Sequence, residues 1–323
     1  MTTATATATA TAPRLDAFNR LGTPLLSTTD AEQALKAGGL WSWNVRKAPA
    51  YCIDPKTGEN IEMERTNGVI YDRPEGGVGY FGRVGDAHHI IQNEEQIEFL
   101  QIFADEAGAT FETAGVAKQG RRVFITMKLP GRLIIGGTDP VDMYVASINS
   151  HDGNFSHTLL RSPVRFACMN MMNIARKEAT FMAKVRHTKG ARKMLEAQAH
   201  RMLEETFDYM DEFRALADEL TNKTMTQSTF EQILESAFGA SDDAPAAAHT
   251  RADKKIEEIV ELFTEANTQA GIRDTAWAGL NALVEWADHL SPTTGATGDE
   301  ARASKAILDP SFKNTALQLM LNA

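Results

Sequence analysis

The run from residue 121 to 129 alternates with a period of two: Val123, Ile125, Met127 and Leu129 share one face, and Arg122, Phe124, Thr126 and Lys128 share the other. Successive side chains of a strand point to opposite sides, so the pattern predicts one strand of a half-covered antiparallel sheet. Its open face is expected to mix cations with an aromatic. Further strands are expected over 111–117 and 141–149, and short β-rich runs at 50–53, 60–65 and 68–72 are separated by Pro/Gly turns at 55–58 and 74–77.

Elsewhere the period changes to three and four. Asn93, then Glu94 and Glu95, then Ile97, Phe99, Leu100 and Phe103 predict a capped amphipathic helix to about residue 107. Residues 29–37 predict a short helix that begins at a Thr or Asp cap and ends near Gly38 and Gly39. Leu195, Ala199, Met202, Met210, Phe213, Ala217 and Leu220 form one stripe, which predicts a single long helix over 191–220. A helical stretch is expected near 170–180, and further helices at 251–268, 274–290 and 311–321.

These elements predict an α+β fold. A domain over 13–238 contains an antiparallel sheet with packed helices, and a helical C-terminal region over 251–323 follows a linker at 239–250. The Thr-Ala repeat of residues 1–12 has too little apolar surface to order itself and is expected to be a disordered tail.

Composition adds a setting. No apolar run approaches the length of a membrane span, and Cys52 and Cys168 stand far apart in no ligand pattern. A cytoplasmic protein with free thiols, no membrane partner and no cofactor is expected. The net charge is −10, but it is unevenly spread. Residues 201–323 carry −12, whereas residues 118–193 carry 14 basic groups against four acidic ones.

That basic segment is the strongest chemical signal. Arg121, Arg122, Lys128, Arg161, Arg165, Arg176, Lys177, Lys184, Arg186, Lys189, Arg192 and Lys193 are the candidate phosphate contacts, and Phe124, Tyr144 and Phe155 the candidate stacking platforms. Lys189, Arg192 and Lys193 crowd the start of the helix expected from 191, where the macrodipole disfavours each cation by about 0.3–1 kcal/mol. A phosphate ligand would offset that cost. The competing reading is a solvated charged face or pairing with the acidic C-terminal region.

Other motifs carry less. Gly77-x-Gly79-x-x-Gly82 fits a dinucleotide fingerprint by spacing, but it precedes a strand-like run rather than a helix and reads as a turn. His151, Asp152 and His157 could supply metal ligands from one loop, which would suit a metal-dependent nuclease or hydrolase. An Asp-Gly turn after a strand explains the same residues. No nucleophile has an activating context, so no catalytic residue is assigned. Trp277, Asn281, Glu285 and Asp288 share a helical face with His289 beside it, a packed tryptophan above a buried polar ladder.

Several short segments occur in a fixed order: Leu21-Gly22-Thr23; Gly82-Arg83-Val84 and Gln92-Asn93; Thr113-Ala114-Gly115 and Gly120-Arg121-Arg122; then Asn149-Ser150-His151-Asp152-Gly153. They continue with Ser162-Pro163-Val164-Arg165-Phe166-Ala167-Cys168-Met169-Asn170, Arg186-His187-Thr188, Asp274-Thr275-Ala276-Trp277, Asn281-Ala282 and Asp288-His289. Over roughly residues 20–321 the chain resembles the phage/plasmid-like protein family, a domain of unknown function. Asp274 departs from the glycine usual there. The resemblance implies mobile-element DNA metabolism in a bacterial host but transfers no reaction. The expected function is non-catalytic single-stranded-DNA binding and annealing by a homo-oligomer, with phage or host recombination proteins as candidate partners. An adaptor acting through the acidic helices is a further alternative.

Overall fold

The computed structural model describes residues 15–165, 168–169, 182–293 and 298–323. The tail expected at 1–12 and the helix expected at 170–180 lie outside the described residues. The architecture is α+β, with an antiparallel sheet region towards the N-terminus and helices towards the C-terminus.

A three-stranded sheet is built from β2 (Arg46–Ile53), β3 (Asn60–Asp72) and β4 (Val78–Gly85). β3 joins the two runs expected separately at 60–65 and 68–72. Between them Arg65 takes a φ of 54° where the register with β2 shifts, so one continuous strand bends at a bulge. Gly79 and Gly82 lie within β4 rather than opening a helix. A Cβ at Gly79 would fall 2.1 Å from the Tyr71 ring, and one at Gly82 would come within 3.2 Å of Asp152 Cβ. These glycines serve close approach, and the fingerprint spacing is incidental.

The larger sheet runs in the order β1 (Gly22–Thr28), β5 (Thr110–Ala117), β6 (Arg122–Lys128), β8 (Asp139–Ser150), β9 (His157–Arg165) and β10 (Cys168–Met169). β7 (Leu133–Ile135) pairs with β8, and β11 (Met182–Val185) pairs with β9. On one face Val123, Ile125, Met127, Val145 and Leu159 share a core with Phe99, Leu100 and Phe103 of α3 (Glu95–Ala107). The other face is also covered. Phe124, Ala146, Ile148 and Leu160 pack with Phe18 of α1 (Ala17–Leu21) and with Ala303, Ala306 and Ile307 of α9 (Gly298–Leu308). The expected open face is therefore closed around Phe124, by residues nearly 180 positions downstream as well as by the N-terminal helix.

Asp30 caps α2 (Ala31–Ala37), accepting from Gln33 N–H, and the helix ends at Gly38. Asn93, expected as the cap of α3, instead turns inward and donates to the Leu40 carbonyl. The single helix expected over 191–220 is two: α4 (Ala191–Glu204) and α5 (Thr206–Asn222), separated at Glu205. The expected linker is shorter than its composition suggests, because α7 (Ala246–Thr264) begins inside it. α6 (Gln227–Phe238), α7 and α10 (Ser311–Asn322) surround α8 (Ala276–Glu285), which is buried along its whole length and continues as a π turn over Trp286–Leu290. One apolar cluster runs from Leu25 to Met320, so the C-terminal helices and the sheet share a core. No described helix is long and apolar enough to cross a membrane.

The polar ladder of α8 lies inside that core. Trp277 Nε1 donates to Asp139 Oδ2 at 2.8 Å, and Arg165 Nε donates to the same oxygen at 2.6 Å. Glu285 accepts from Thr268, and Asp288 accepts from Met169 N–H and pairs with buried Lys313. Trp277 and Asp288 thus tie α8 and the turn after it to strands β8 and β10 through hydrogen bonds that offset the desolvation of buried polar groups.

Candidate nucleic-acid interface

The basic segment divides into inward-facing and outward-facing cations. Arg122 is 4% exposed, and its Nη1 reaches Asp152 Oδ1 at 2.5 Å and Ser150 Oγ at 3.0 Å. Burial alone would raise the Asp152 carboxyl, but the Asn154 N–H, Arg122 and Ser150 together hold it below its ordinary range. Arg161 is wholly buried, donating to the Met202 carbonyl and pairing with Glu205, with the Tyr209 ring 4.7 Å from its guanidinium carbon. Arg165 is 2% exposed and bound to Asp139 and the Thr268 carbonyl. These three guanidiniums were expected at the phosphate surface; their partners lie within the protein. A buried charge needs such partners, and a strand position in a two-sided core has no route to solvent.

Lys128 and Arg132 share Asp142, at 3.0 and 2.8 Å. Arg121 is exposed, with its Nε anchored on the Phe81 carbonyl. Arg176 and Lys177 lie outside the described residues. Among the stacking candidates, Phe124 is 1% exposed against Phe18. Tyr144 and Phe155 are half-buried, and the Phe155 ring lies 5.2 Å from the Arg122 guanidinium carbon.

The outward set is compact. From Lys184 to Lys193 there are five cations and no acid. Lys184, at the described edge of the larger sheet, alternates with buried Val185; exposed Arg186 alternates with buried His187. The chain then turns through exposed Lys189 into α4, whose first turn has Arg192 and Lys193 and no acidic residue. Arg192 pairs with Glu98 of α3, which relieves part of the macrodipole conflict through a tertiary partner. Lys184, Arg186, Lys189 and Lys193 have no ion-pair partner among the described residues.

Behind this edge lies a buried polar layer that the sequence reading did not assemble. His187 stacks on His88 at 4.8 Å and lies 6.4 Å from His157. His157 shares a 2.8 Å hydrogen bond with Ser147, which donates to Gln96. His151 stacks on Phe81 and donates through Nε2 to Asn93 Oδ1. Burial pushes His151 down to about 3 and His187 to about 4, with neighbouring histidines and Arg122 adding to it. His151, Asp152 and His157 are therefore held by three different partners, and no group of three or more His, Cys, Asp or Glu among the described residues is placed to hold a metal ion. The layer draws on four separate segments, so no local motif could reveal it.

No curated protein and no solved structure matches the chain. A family model for a domain of unknown function, DUF932, matches residues 80–309, which span α3, the whole of β5–β11, and the helices through α9. Since both the outward cations and the polar layer behind them fall inside that match, and it takes in well over half of the sequence, the chain belongs to the DUF932 family.

Proposed function

We propose that this protein binds single-stranded nucleic acid through the strand–turn–helix edge from Lys184 to Lys193, and does so in the DNA metabolism of a mobile element, where annealing of complementary strands would use it. The observation that carries the reading is four exposed cations without ion-pair partners among the described residues, in a ten-residue segment free of acids, on a chain of net charge −10. Overall acidity keeps weak non-specific contacts low, while a local positive strip can still neutralise phosphates. Of the predicted cations outside this segment, Arg121 also remains exposed, and Tyr144 and Phe155 are the aromatic candidates that keep exposed surface. The mobile-element setting rests on the resemblance to the phage/plasmid-like proteins.

Fluorescence anisotropy of a labelled oligonucleotide, titrated from low to high NaCl, tests the reading. Contacts to four phosphates of a single strand predict a slope of log K against log salt of about −3. The combined variant K184Q/R186Q/K189Q/K193Q is expected to lose about tenfold or more in affinity and to flatten that slope. Unchanged binding by this variant, with its fold intact by circular dichroism, would sink the proposal.

A further inference from the structure

Two helices in the acidic half of the chain leave a groove between them. It measures about 900 Å³ and lies between α6 and α7. Its walls present Glu231 and Glu235 from α6, Asp253, Glu257 and Glu261 from α7, and Glu265, the residue that ends α7. The last four recur at every fourth position, about one per turn, so they line one side at a spacing of about 6 Å. None of the six has an ion-pair partner among the described residues. The floor is apolar, formed by Ile256 and Val260. Six like charges along an apolar trough repel one another, and a cationic segment with an apolar residue of its own would relieve both features at once.

This chain carries such a segment. Lys184, Arg186, Lys189 and Lys193 are exposed, and Met194 beside them is 51% exposed, an apolar side chain in an otherwise charged surface. Lys189 and Lys193 stand four residues apart, the same interval as the carboxylates of α7. The two surfaces do not meet within one molecule, since no cation of 184–193 pairs with a carboxylate of the groove. We propose that the groove between α6 and α7 receives the Lys184–Met194 segment of a second copy of this chain. The contact is head-to-tail: one molecule offers the groove, the next the basic edge, and repetition gives a ring or an open filament rather than a two-fold dimer. The inference uses the same cations as the nucleic-acid reading but does not depend on it. Where both hold, oligonucleotide and groove compete for one surface.

Sedimentation velocity of the full chain gives the test. At about 50 mM salt the sedimentation coefficient should rise with protein concentration, and at about 0.5 M salt, where screening is nearly complete at contact range, that rise should disappear. The groove variant E235Q/E257Q/E261Q and the basic-edge variant K184Q/R186Q/K189Q/K193Q should each remain monomeric. Mixed together they should form a one-to-one dimer and stop, because one still has its basic edge and the other its groove. Wild-type protein that stays monomeric at low salt, groove variants that still self-associate, or a mixture that fails to pair would each overturn the proposal. The groove variant also separates the two readings. It should bind oligonucleotide at least as tightly as wild type, so loss of self-association without loss of oligonucleotide binding supports the groove alone. If the basic-edge variant loses oligonucleotide binding while wild type never self-associates, the groove proposal falls and the nucleic-acid reading stands.

Discussion

Asp274 takes a left-handed φ of 59° just before α8, and its carbonyl accepts from Met225 N–H. This is the position at which the resembled family carries glycine, so the departure visible in the sequence has a backbone meaning. Asp tolerates the left-handed region better than most residues, and a β-branched side chain does not. Asp274→Val should cost about 1–2 kcal/mol, whereas Asp274→Gly should stay within about 1 kcal/mol of wild type, as read from urea midpoints. The histidines make a second residue-scale case. Folded His151 and His187 are pushed down to about 3 and about 4 from an ordinary 6.5, first by burial; His157 and His88 are lowered for the same reason. As pH falls below about 6.5 the unfolded chain takes up protons that the folded chain refuses, so stability is full above that pH and declines towards 4. Denaturation midpoints should fall steadily from pH 7 to pH 5, and His187→Phe should make the decline shallower; a midpoint independent of pH over that range would contradict it. Each histidine was visible in the sequence, but its environment was not, because most of its neighbours come from strands, a helix and turns far away in the chain, as His88 does for His187.

At the scale of elements, periodicity located what is amphipathic and missed what is buried on both sides. The alternation at 121–129 became β6, and the stripe at 93–107 became α3. β9 had no such signature: its residues from His157 to Ser162 are buried on both faces, so no polar alternation marks it. Pro163 is accommodated in β9 because it falls in the gap between the short partners β11 and β10, where no described ladder bond is required of it. The division of the long helix has an equally non-local cause. At the corner between α4 and α5, Arg161 of β9 donates to the Met202 carbonyl and pairs with Glu205, and Thr206 Oγ1 donates to the same carbonyl. The corner is therefore a sheet-to-helix clamp. Arg161→Met should cost about 2–3 kcal/mol in urea unfolding, since it leaves that carbonyl one donor short and Glu205 without its buried counter-charge. A cost below about 1 kcal/mol would show that the corner is set by the helices alone.

For the whole molecule the organising feature is segregation of charge. The −12 carried by residues 201–323 is displayed on the outer faces of helices such as α6 and α7, while most of the inner cations of 118–165 are absorbed by Asp152, Asp139, Asp142 and Glu205. Among the described residues, exposed cations without an ion pair are densest at the β11–α4 edge. Of the dozen cations expected on a basic surface ten are described, and four of those ten stand exposed and without an ion-pair partner along this edge. The oligonucleotide binding and the self-association proposed above would both draw on these cations, and both are expected to weaken as salt rises.

The sequence by itself determined the fold class, the positions of the amphipathic elements and the excess of positive charge between residues 118 and 193, because these depend on local period and composition. Through the family resemblance it also marked Asp274 as a departure from glycine, and the structure shows that position to be left-handed. Only the tertiary structure decided which cations face water. A charge count treats Arg122, Arg161, Arg165 and Lys184 alike, but the first three are neutralised by carboxylates brought in from elsewhere in the chain, while Lys184 is exposed and has no ion-pair partner among the described residues. Pairing is a matter of distance in space, and in this chain those distances are set by a core that joins residue 25 to residue 320.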